Sequence, residues 1–454
     1  MGKNKTSYKC ENCRALLSKW SGQCPECQEW NCVVESVAVA APAGRLTGYS
    51  GQLSNEVKNL ATVDQTSVDR MAVGVGELDR VLGGGIVPGS VILLGGDPGI
   101  GKSTLLIQLV AALAGRFPSL YITGEESLDQ LGMRARRLEL SLEGIRCLTE
   151  TSVEQILGHA EAEKPRLMII DSIQTVYTES LGSAPGSVTQ IRESASALVR
   201  WAKTNHCCVV LVGHVTKEGA LAGPRVLEHM VDAVLYFESD GGSRYRVIRA
   251  VKNRFGAVNE LGMFAMTGKG LKEVKNPSAI FLSGHEKPVS GSAITVVREG
   301  TRPILLEVQA LVDLSHLNNP RRVALGLEQN RLAMMLAVLH RHGGIALADH
   351  DVFINVVGGM RISETGADLP MLLALYSSFR DRPLQEGMIC FGEVGLSGEI
   401  RPVPDGEQRL KEAAGHGFKV AVVPVANAPR KPLAGLSIIP ARNVSETLER
   451  IGRG

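Results

Sequence analysis

The hydrophobic positions of this chain form two alternating patterns, short continuous apolar runs and longer segments with helical spacing. Apolar runs of this length are typical of parallel strands that are buried on both faces of a sheet. The helical segments between them are long enough to connect such strands. The pattern predicts an α/β core whose strands are Val91–Leu94, Ser119–Thr123, Arg166–Asp171, Cys208–Val212, Ala233–Glu238 and Tyr245–Val251.

Beyond about residue 270 the pattern changes to that of an α+β unit. Residues 279–316 alternate in strand fashion, and Arg331–His340 and Leu369–Ser377 have the periodicity of helices. Glu35–Leu60 is rich in alanine, glycine and serine, which is typical of a linker. We therefore predict a short module at residues 8–34, a linker at 35–60, an α/β domain at 61–270 and an α+β domain at 271–454.

A glycine-rich turn follows the first predicted strand and matches the spacing G-x-x-x-x-G-K-[ST] of a phosphate-binding loop. Glycines at this turn bring backbone N–H groups close to a polyphosphate, and the helix that follows adds the positive end of its dipole. Lys102 supplies a cation for the β- and γ-phosphates, and Ser103 supplies a hydroxyl to Mg²⁺. The predicted contacts with ATP and Mg²⁺ come from Gly96, Asp97, Pro98, Gly99, Ile100, Gly101, Lys102, Ser103 and Thr104.

Polar residues end three of the other predicted strands, at the edge of the sheet where the phosphate loop lies. Asp171 has the Walker B arrangement, which predicts that it holds Mg²⁺ through water. Glu125 or Glu126 is the candidate base that orients the attacking water, and a solvated helix cap is the alternative. His214 is the candidate sensor of the γ-phosphate, and a structural histidine is the alternative.

Two glycine-rich stretches and one basic turn complete this half of the chain. Thr178–Gln190 is rich in glycine, serine and proline and is expected to be a mobile loop. Thr216–Glu228 is a second such stretch and carries Lys217 and Arg225 among its glycines. The last predicted strand leads into K-N-R-F-G (residues 252–256), where spacing alone indicates only a basic, turn-forming strand end.

Cysteines near the N-terminus have the spacing C-x₂-C-x₁₀-C-x₂-C. Two such pairs present four thiolates to one tetrahedral Zn²⁺, and a module this short has almost no core without the metal. Cys32 lies outside that spacing and is interpreted as a spare thiol. Trp20 and Trp30, with nearby cations, either stack on nucleic acid or pack the module. The predicted metal ligands are Cys10, Cys13, Cys24 and Cys27.

Length and composition indicate a protein of two or three domains without a membrane span, but they do not identify a binding partner. A chain of 454 residues is long enough for two or three domains, and no apolar run approaches the roughly 20 residues that cross a bilayer. The N-terminus lacks the apolar stretch of a secretory signal, and the clustered cysteines suit a reducing cytosol, so we predict a cytoplasmic protein. A net charge of +2 means that any nucleic-acid binding must come from local basic patches.

The order of strands, loops and polar strand ends resembles the P-loop NTPase core of RecA-like recombinases and hexameric helicases. Three features together resemble the bacterial RadA (Sms) family of DNA-repair proteins over essentially the whole chain. They are the four-cysteine knuckle, L-G-G-G-I-V-P-G-S with G-D-P-G-I-G-K-S-T, and K-N-R-F-G. The family implies that Lys252 and Arg254 reach a neighbouring subunit's nucleotide or DNA, and that Lys217 and Arg225 lie on loops that grip single-stranded DNA. One departure is Arg14, where the family usually has glycine.

Residues 271–454 resemble the proteolytic domain of Lon, an α+β domain of the ribosomal S5-like type. Laid over that family's P-K-D-G-P-S-A-G motif, S-E-T-G-A-D-L-P places Asp368 at the position of the serine nucleophile, and the activating lysine falls at or beside Glu407. An aspartate cannot form the acyl-enzyme and no amine remains, so we predict that peptidase activity is lost. The domain is then expected to assemble the ring and to bind DNA through arginines that could equally be surface charges: Arg321, Arg322 and Arg331.

The RadA resemblance implies a homo-hexameric, ATP- and Mg²⁺-dependent DNA motor of homologous-recombination repair. Such a motor drives helicase-like branch migration on single-stranded and branched DNA beside a RecA-type recombinase. Two other functions stay open. A non-motor ATPase switch or scaffold, signalling through the zinc module, would hydrolyse ATP without directional movement on DNA. A Lon-type ATP-dependent protease would react with serine-hydrolase labels, and the missing dyad argues against it.

Overall fold

The computed structural model describes residues 6–10, 12–13, 15–17, 19–37, 59, 69–214, 226–239, 244–282, 287–317 and 319–452. The chain divides into two compact units, Met1–Ser50 and Gly51–Gly454. Over the described ranges, every helix is too short or too polar to span a bilayer.

The first unit contains a small antiparallel sheet in the order β2-β1-β3, formed by β1 (Thr6–Cys10), β2 (Leu16–Leu17) and β3 (Val33–Val37). β3 pairs with β1 as far as Val37, which lies opposite Thr6. The predicted start of the linker at Glu35 is therefore wrong, because the run V-V-E-S-V continues the strand. Residues 38–58 and 60, the rest of the predicted linker, lie outside the described residues.

In the described part of the second unit, nine strands form one central sheet in the order β12-β11-β10-β9-β4-β8-β7-β5-β6. The strands from β9 to β6 in this order are parallel, and β10, β11 and β12 extend the sheet in antiparallel fashion. The strands are β4 (Val91–Gly96), β5 (Ser119–Thr123), β6 (Arg146–Thr149), β7 (Leu167–Asp171), β8 (Cys208–His214), β9 (Ala233–Glu238), β10 (Tyr245–Asn253), β11 (Leu261–Thr267) and β12 (Gly270–Glu273).

Helices cover both faces of the central sheet, which explains why its inner strands are apolar at every position. The helices are α1 (Gly76–Val81), α2 (Lys102–Leu113), α3 (Leu128–Arg137), α4 (Val153–Glu163) and α5 (Val188–Asn205). Successive residues of β4 belong to different hydrophobic clusters: Ile92 and Leu94 pack with α2 and α3, whereas Val91 and Leu93 pack with α4 and α5.

Each of the six strands predicted for this core is present; two have the predicted bounds, and the other four shift by one or two residues at one end. Strand β6 was not predicted, because the segment R-C-L-T is too polar to form an apolar run and is partly exposed at this edge of the sheet. The central sheet also continues to Glu273, past the predicted domain end at residue 270. The reason is a tight turn that pairs Thr267 with Gly270 and returns β12 along β11.

The stretch Thr178–Gln190, expected to be a mobile loop, is tied down by one buried side chain. Gln190 Oε1 accepts a hydrogen bond from Thr178 N at 3.0 Å, and its Nε2 donates to the carbonyls of Leu181 at 3.1 Å and Ser183 at 3.0 Å. These hydrogen bonds satisfy backbone groups of the loop, which its composition does not reveal. The last three residues of the predicted loop, Val188–Gln190, belong to α5.

A second, C-terminal sheet contains seven strands of the described chain in the order β15-β16-β14-β13-β17-β20-β21. Helix α8 (Asp368–Phe379) packs against β13 (Ser292–Glu299) and β14 (Arg302–Leu314), and its apolar residues contribute to the largest hydrophobic cluster of the described residues. A separate antiparallel pair is formed by β18 and β19. The strands are β13 (Ser292–Glu299), β14 (Arg302–Leu314), β15 (Arg322–Leu325), β16 (His350–Val356), β17 (Met388–Cys390), β18 (Glu393–Val394), β19 (Ile400–Arg401), β20 (Val420–Pro424) and β21 (Ser437–Ala441).

The helices of this half are α6 (Ser278–Phe281), α7 (Gln329–Gly343), α8 (Asp368–Phe379), α9 (Gly406–Gly415) and α10 (Val444–Gly452), with 3-10 turns at Val357–Gly359, Thr365–Ala367 and Val425–Asn427. Both predicted helices are present as α7 and α8. The alternation over residues 279–316 corresponds to β13 and β14, although the first few positions belong to α6.

Asp368, at the first position of α8, is buried in an ion pair. Arg331 on α7 donates from Nε to Asp368 Oδ1 at 2.6 Å and from Nη2 to Oδ2, and Val394 N donates to Oδ2 at 3.0 Å. Burial raises the pKa of Asp368, and Arg331 opposes that shift. The guanidinium of Arg331 is occupied by this carboxylate, and DNA binding by Arg331 stays a prediction. Glu407 is exposed on α9, where Lys411 pairs with it at 2.7 Å.

We predict that Arg331→Ala destabilises the C-terminal half by about 3 kcal/mol, because it leaves the buried carboxylate of Asp368 without its partner. Thermal and urea unfolding, followed by far-UV circular dichroism, measure the decrease in the free energy of unfolding. Arg321→Ala is the matched control, since Arg321 is 62% exposed and pairs only loosely with Asp351 at 3.6 Å. Equal stability of the two variants would contradict a stabilising role for the Arg331–Asp368 pair.

Candidate functional site

The phosphate loop connects the buried strand β4 to helix α2, and its shape depends on a close backbone approach at Gly96. A Cβ atom at that position would lie 2.7 Å from the carbonyl oxygen of Phe237 on the neighbouring strand β9, and φ is +156°. Only glycine fits there without displacing β9. Pro98 and Gly99 are exposed at the tip of the loop, and Ser103 and Thr104 lie in the first turn of α2.

The side chain of Lys102 is buried against the loop that precedes it. Its Nζ donates hydrogen bonds to the carbonyls of Gly96 at 2.8 Å and Asp97 at 3.0 Å, and lies 3.3 Å from His214 Nδ1. Burial lowers the pKa of the Lys102 ammonium, and the carboxylates of Asp171 and Glu125 oppose that shift. Lys102 is thus surrounded by oxygen and nitrogen atoms that a phosphate would compete with.

Parallel pairing explains why residues so far apart in sequence meet here. Gly96 lies opposite His214 in the β4–β8 pair, and Thr123 lies opposite Asp171 in the β5–β7 pair. Because the carboxyl ends of parallel strands share one edge of the sheet, the side chains that follow them converge.

Asp171 is buried at the end of β7 and is held by a tyrosine from the neighbouring strand. Tyr121 OH donates to Asp171 Oδ2 at 2.5 Å. Burial, and then the carboxylate of Asp171, raises the pKa of Tyr121 well above its ordinary value, which keeps the phenol as a hydrogen-bond donor. The tyrosine fixes one carboxylate oxygen of Asp171, Oδ2, and the charge of Asp171 acts on the ammonium of Lys102.

The two adjacent glutamates after β5 point to different partners. Glu125 Oε1 accepts a hydrogen bond from Ser172 Oγ and lies 3.2 Å from His214 Nε2. Glu126 instead pairs with Arg134 on α3, and its backbone N–H is bonded to Thr123 Oγ1 at 3.0 Å. His214 therefore connects Lys102 with Glu125, whereas Glu126 precedes α3 and is paired with Arg134 of that helix.

Lys252 and Arg254 lie at the end of β10 and contact their own chain. Lys252 Nζ donates to the carbonyls of Glu228 at 2.6 Å and Val231 at 2.9 Å, and burial followed by the charge of Arg254 lowers its pKa. Arg254 is 57% exposed, with one bond of 3.3 Å to Asp232. Asp232 is buried and also accepts from Lys203 at 3.0 Å and Val91 N at 3.0 Å. Lys217 and Arg225, the candidate DNA contacts, lie outside the described residues.

Sequence reasoning missed three residues that organise these groups: Tyr121, Ser172 and Asp232. The signal for Tyr121 was a phenol inside an otherwise apolar strand, because a buried tyrosine hydroxyl needs a hydrogen-bond partner. A lone aspartate directly before β9 was a comparable signal for Asp232. Ser172 follows the Walker B aspartate, and nothing in the sequence indicates that its hydroxyl reaches Glu125.

The four cysteines predicted as metal ligands are brought together in the N-terminal unit. Their sulfur atoms all lie within 4.8 Å of one another, with Cys10–Cys27 and Cys13–Cys24 separations of 3.6 Å. Sulfur atoms bound to one tetrahedral zinc at about 2.3 Å lie roughly 3.8 Å apart, so the donor set fits Zn²⁺. A hydrogen bond from Cys13 N lowers the pKa of the Cys10 thiol to about 6, whereas burial and the neighbouring thiols raise the pKa of Cys13 to about 12.

Two features at the rim of this cluster bear on the sequence analysis. Cys32 is closer to the cluster than its spacing suggested, since its sulfur lies 3.4 Å from Cys10 Sγ. Trp20 and Trp30 are 62% and 67% exposed, so they do not form the interior of the module. Trp20 nevertheless donates from Nε1 to the carbonyl of Val33 at 3.2 Å, which fixes its ring.

Comparisons with known proteins cover the whole chain. The DNA repair protein RadA of Pseudomonas aeruginosa is 59% identical over 99% of this chain and 100% of that protein. The RadA proteins of Escherichia coli and Bacillus subtilis are 54% and 46% identical, over 98% and 99% of both chains. A family model described as an AAA domain matches residues 58–220, and a model described as subunit ChlI of Mg-chelatase matches residues 328–427.

These relatives match the chain from the cysteine cluster to the C-terminal sheet, and the central sheet carries its phosphate loop between β4 and α2. The chain therefore belongs to the RadA family of DNA repair proteins.

Proposed function

We propose that this protein is a DNA-dependent ATPase that moves along single-stranded DNA and drives branch migration of recombination intermediates. The observation that carries the proposal is the bonded set Lys102, His214 and Glu125 beside Asp171, at the edge of a RecA-like sheet. A cation, a carboxylate for Mg²⁺ and a second carboxylate for water are the groups that ATP hydrolysis requires.

Residues 96–104 would hold the triphosphate of ATP, and Ser103 with Asp171 would hold Mg²⁺. The bound Mg²⁺ supplies charge neutralisation at the β- and γ-phosphates. Lys102 can exchange its bonds with the Gly96 and Asp97 carbonyls for bonds with phosphate oxygens, because its stem is flexible and its charge is buried. The hydrogen bond from Tyr121 would hold the carboxylate of Asp171 in place for Mg²⁺.

Glu125, rather than Glu126, is assigned as the base that orients the attacking water. Its carboxylate faces His214 and Ser172, whereas the carboxylate of Glu126 is neutralised by Arg134. His214 contacts both Lys102 and Glu125, so a phosphate that displaces the lysine also alters the bond to the base. This is the arrangement expected of a γ-phosphate sensor.

Lys252 and Arg254 would complete the site of the next subunit in a homo-hexameric ring, which makes hydrolysis depend on assembly. Support comes from Arg254, which is exposed beyond its single bond to Asp232. Lys217 and Arg225 would contact single-stranded DNA within the ring, and a RecA-type recombinase would work on the same branched DNA. We place the protein in the cytoplasm, where zinc thiolates persist without oxidation.

A non-motor ATPase switch or scaffold is the second candidate function, favoured by the separate compact unit that holds the cysteine cluster. Such a switch would hydrolyse ATP without moving on DNA. A protease is disfavoured, because Asp368 is buried in its pair with Arg331 and Glu407 is paired with Lys411.

We predict one zinc ion per chain, bound by Cys10, Cys13, Cys24 and Cys27. Elemental analysis of protein purified without chelator should give a zinc-to-chain ratio near one, and Cys24→Ser should lower it to near zero. Cys32→Ser is the matched control and should retain the metal. Loss of zinc from the Cys32 variant alone would transfer the ligand role to that residue.

We predict that Glu125→Gln lowers the ATP turnover number by about 100-fold or more, because it removes the water-orienting base while keeping its size. Glu126→Gln should stay within about fivefold of the wild type. Steady-state hydrolysis gives the turnover numbers, and binding of a fluorescent ATP analogue should be similar in both variants. The reverse order of effects would reassign the base to Glu126.

We predict that single-stranded DNA stimulates ATP hydrolysis and that the protein unwinds a forked duplex, with both activities lost in Lys252→Ala. Lys102→Ala, which removes the phosphate-binding cation, serves as the inactive reference. Hydrolysis that is indifferent to DNA, without strand separation, would favour the switch or scaffold.

A further inference from the structure

The turn between β13 and β14, residues Glu299–Arg302, is inserted against the central sheet. A Cβ at Gly300, whose φ is +62°, would lie 2.7 Å from the carbonyl oxygen of Asn259 and 2.8 Å from Glu260 Cα. Thr301 N also donates to Glu260 Oε1 at 2.8 Å. Backbone therefore packs directly on backbone where the C-terminal half meets the loop between β10 and β11. We call these residues the 299–302 turn.

One side of the 299–302 turn is bonded to β10, the strand that ends in Lys252. Arg249 on β10 donates from Nη1 to Glu299 Oε2 at 2.9 Å, and the Glu299 side chain is only 12% exposed. The other carboxylate at Arg249, Glu238 on β9, is 3.5 Å away and largely exposed. Of the two ion pairs, the shorter and less exposed one is Arg249–Glu299, which joins the central sheet to the C-terminal half.

The other side of the turn is bonded to α1. Arg302 Nη1 contacts both carboxylate oxygens of the buried Glu77, at 2.9 and 3.1 Å. At the far end of the same helix, the carbonyl of Val81 accepts a hydrogen bond from Asn253 Nδ2 at 3.2 Å. Asn253 lies between Lys252 and Arg254, so α1 connects Arg302 with the middle of K-N-R-F-G.

Both elements that flank K-N-R-F-G are therefore fixed by the same turn, through Arg249 on β10 and Glu77 on α1. We propose that the 299–302 turn holds Lys252 and Arg254 in the orientation in which they act on the next subunit, with Glu299 and Arg302 as positioning residues. The C-terminal half then controls ATP hydrolysis in a neighbouring subunit rather than in its own. This inference rests on the proposed action of Lys252 and Arg254 in trans.

The physical reason is preorganisation. Long cationic side chains are effective only when the backbone that carries them is held within a fraction of an ångström of the productive geometry. The bulge in β10 between Ala250 and Lys252 interrupts the ladder next to the cations, so the strand itself does not fix them as firmly as regular pairing would. Contacts from outside the central sheet replace that support.

The first experiment compares Glu299→Gln combined with Arg302→Gln against the matched control Glu238→Gln. Glu238 contacts the same Arg249 but lies within the central sheet. We expect the double variant to lose about tenfold or more of its DNA-stimulated ATP hydrolysis, with ring size and binding of a fluorescent ATP analogue unchanged. Glu238→Gln should stay within twofold of the wild type. If the double variant does not form rings, Glu299→Gln alone replaces it.

The second experiment tests where the effect acts. The double variant is co-expressed with an excess of differently tagged Lys102→Ala subunits, and mixed rings are purified through both tags. Lys102→Ala subunits cannot hydrolyse ATP but carry an intact 299–302 turn and intact cations. In these mixed rings, the Lys102→Ala subunits should restore ATP hydrolysis at the sites of the double variant. The reference is a mixed ring that contains wild-type subunits and Lys102→Ala subunits in the same ratio.

The outcomes separate the two proposals. Normal hydrolysis by the double variant, or a loss that Lys102→Ala subunits do not restore, would overturn the positioning role of the turn. A control ring in which Lys252→Ala and Arg254→Ala are combined should be restored by the same subunits. If this control is not restored, the action of the two cations in trans is wrong, whatever the turn variants show.

Discussion

The register of the parallel strands β4, β8, β7 and β5 is the constraint on which the candidate site depends. It aligns Gly96 with His214 and Thr123 with Asp171, so that the residues that follow each strand meet at one edge. A shift of one residue in any pair would turn its side chains to the opposite face of the sheet. The two hydrophobic clusters that divide alternate residues of β4 make such a shift costly, because it would exchange their apolar contacts. The same strand register is therefore required for packing of the core and for alignment of the site residues.

The features that depend on local sequence patterns were predictable from the sequence. Apolar runs predicted the inner strands, and the spacing of the phosphate loop and of the cysteines selected the residues that the structure brings together. The parts that depend on partners distant in sequence were not. Nothing near Glu125 and Glu126 distinguishes them, because the difference arises from Arg134 on α3, from His214 at the end of β8 and from Ser172 just after β7. Gln190 orders a segment whose composition alone is typical of a mobile loop, and β6 forms an edge without an apolar run.

Buried carboxylates recur as organising groups, and each is compensated by donors from more than one element. Asp232 accepts hydrogen bonds from Val91 N, Lys203 and Arg254. Glu77 accepts hydrogen bonds from Met263 N and Arg302. Removing a partner from such a group costs more than the pair contributes, since the remaining charge stays desolvated. These carboxylates therefore specify how the elements are placed, even where their net contribution to stability is small. A polar residue within an apolar pattern indicates that it needs partners, but composition and periodicity do not identify those partners.

The C-terminal half shows how a position associated with chemistry in a related fold serves structure here. Asp368, at the place of the serine nucleophile in the Lon-like alignment, joins α8 to α7 through Arg331 and to β18 through Val394 N. The nearby edge strand β15 is closed as well, because the Gln329 side chain accepts from Ala324 N at 3.0 Å and donates to the carbonyl of Arg322 at 2.5 Å. An extended peptide that approached this edge would find these main-chain groups already bonded. The loss of the nucleophile and the closure of the edge are two separate obstacles to proteolysis. The same domain contacts the central sheet through the 299–302 turn, beside K-N-R-F-G.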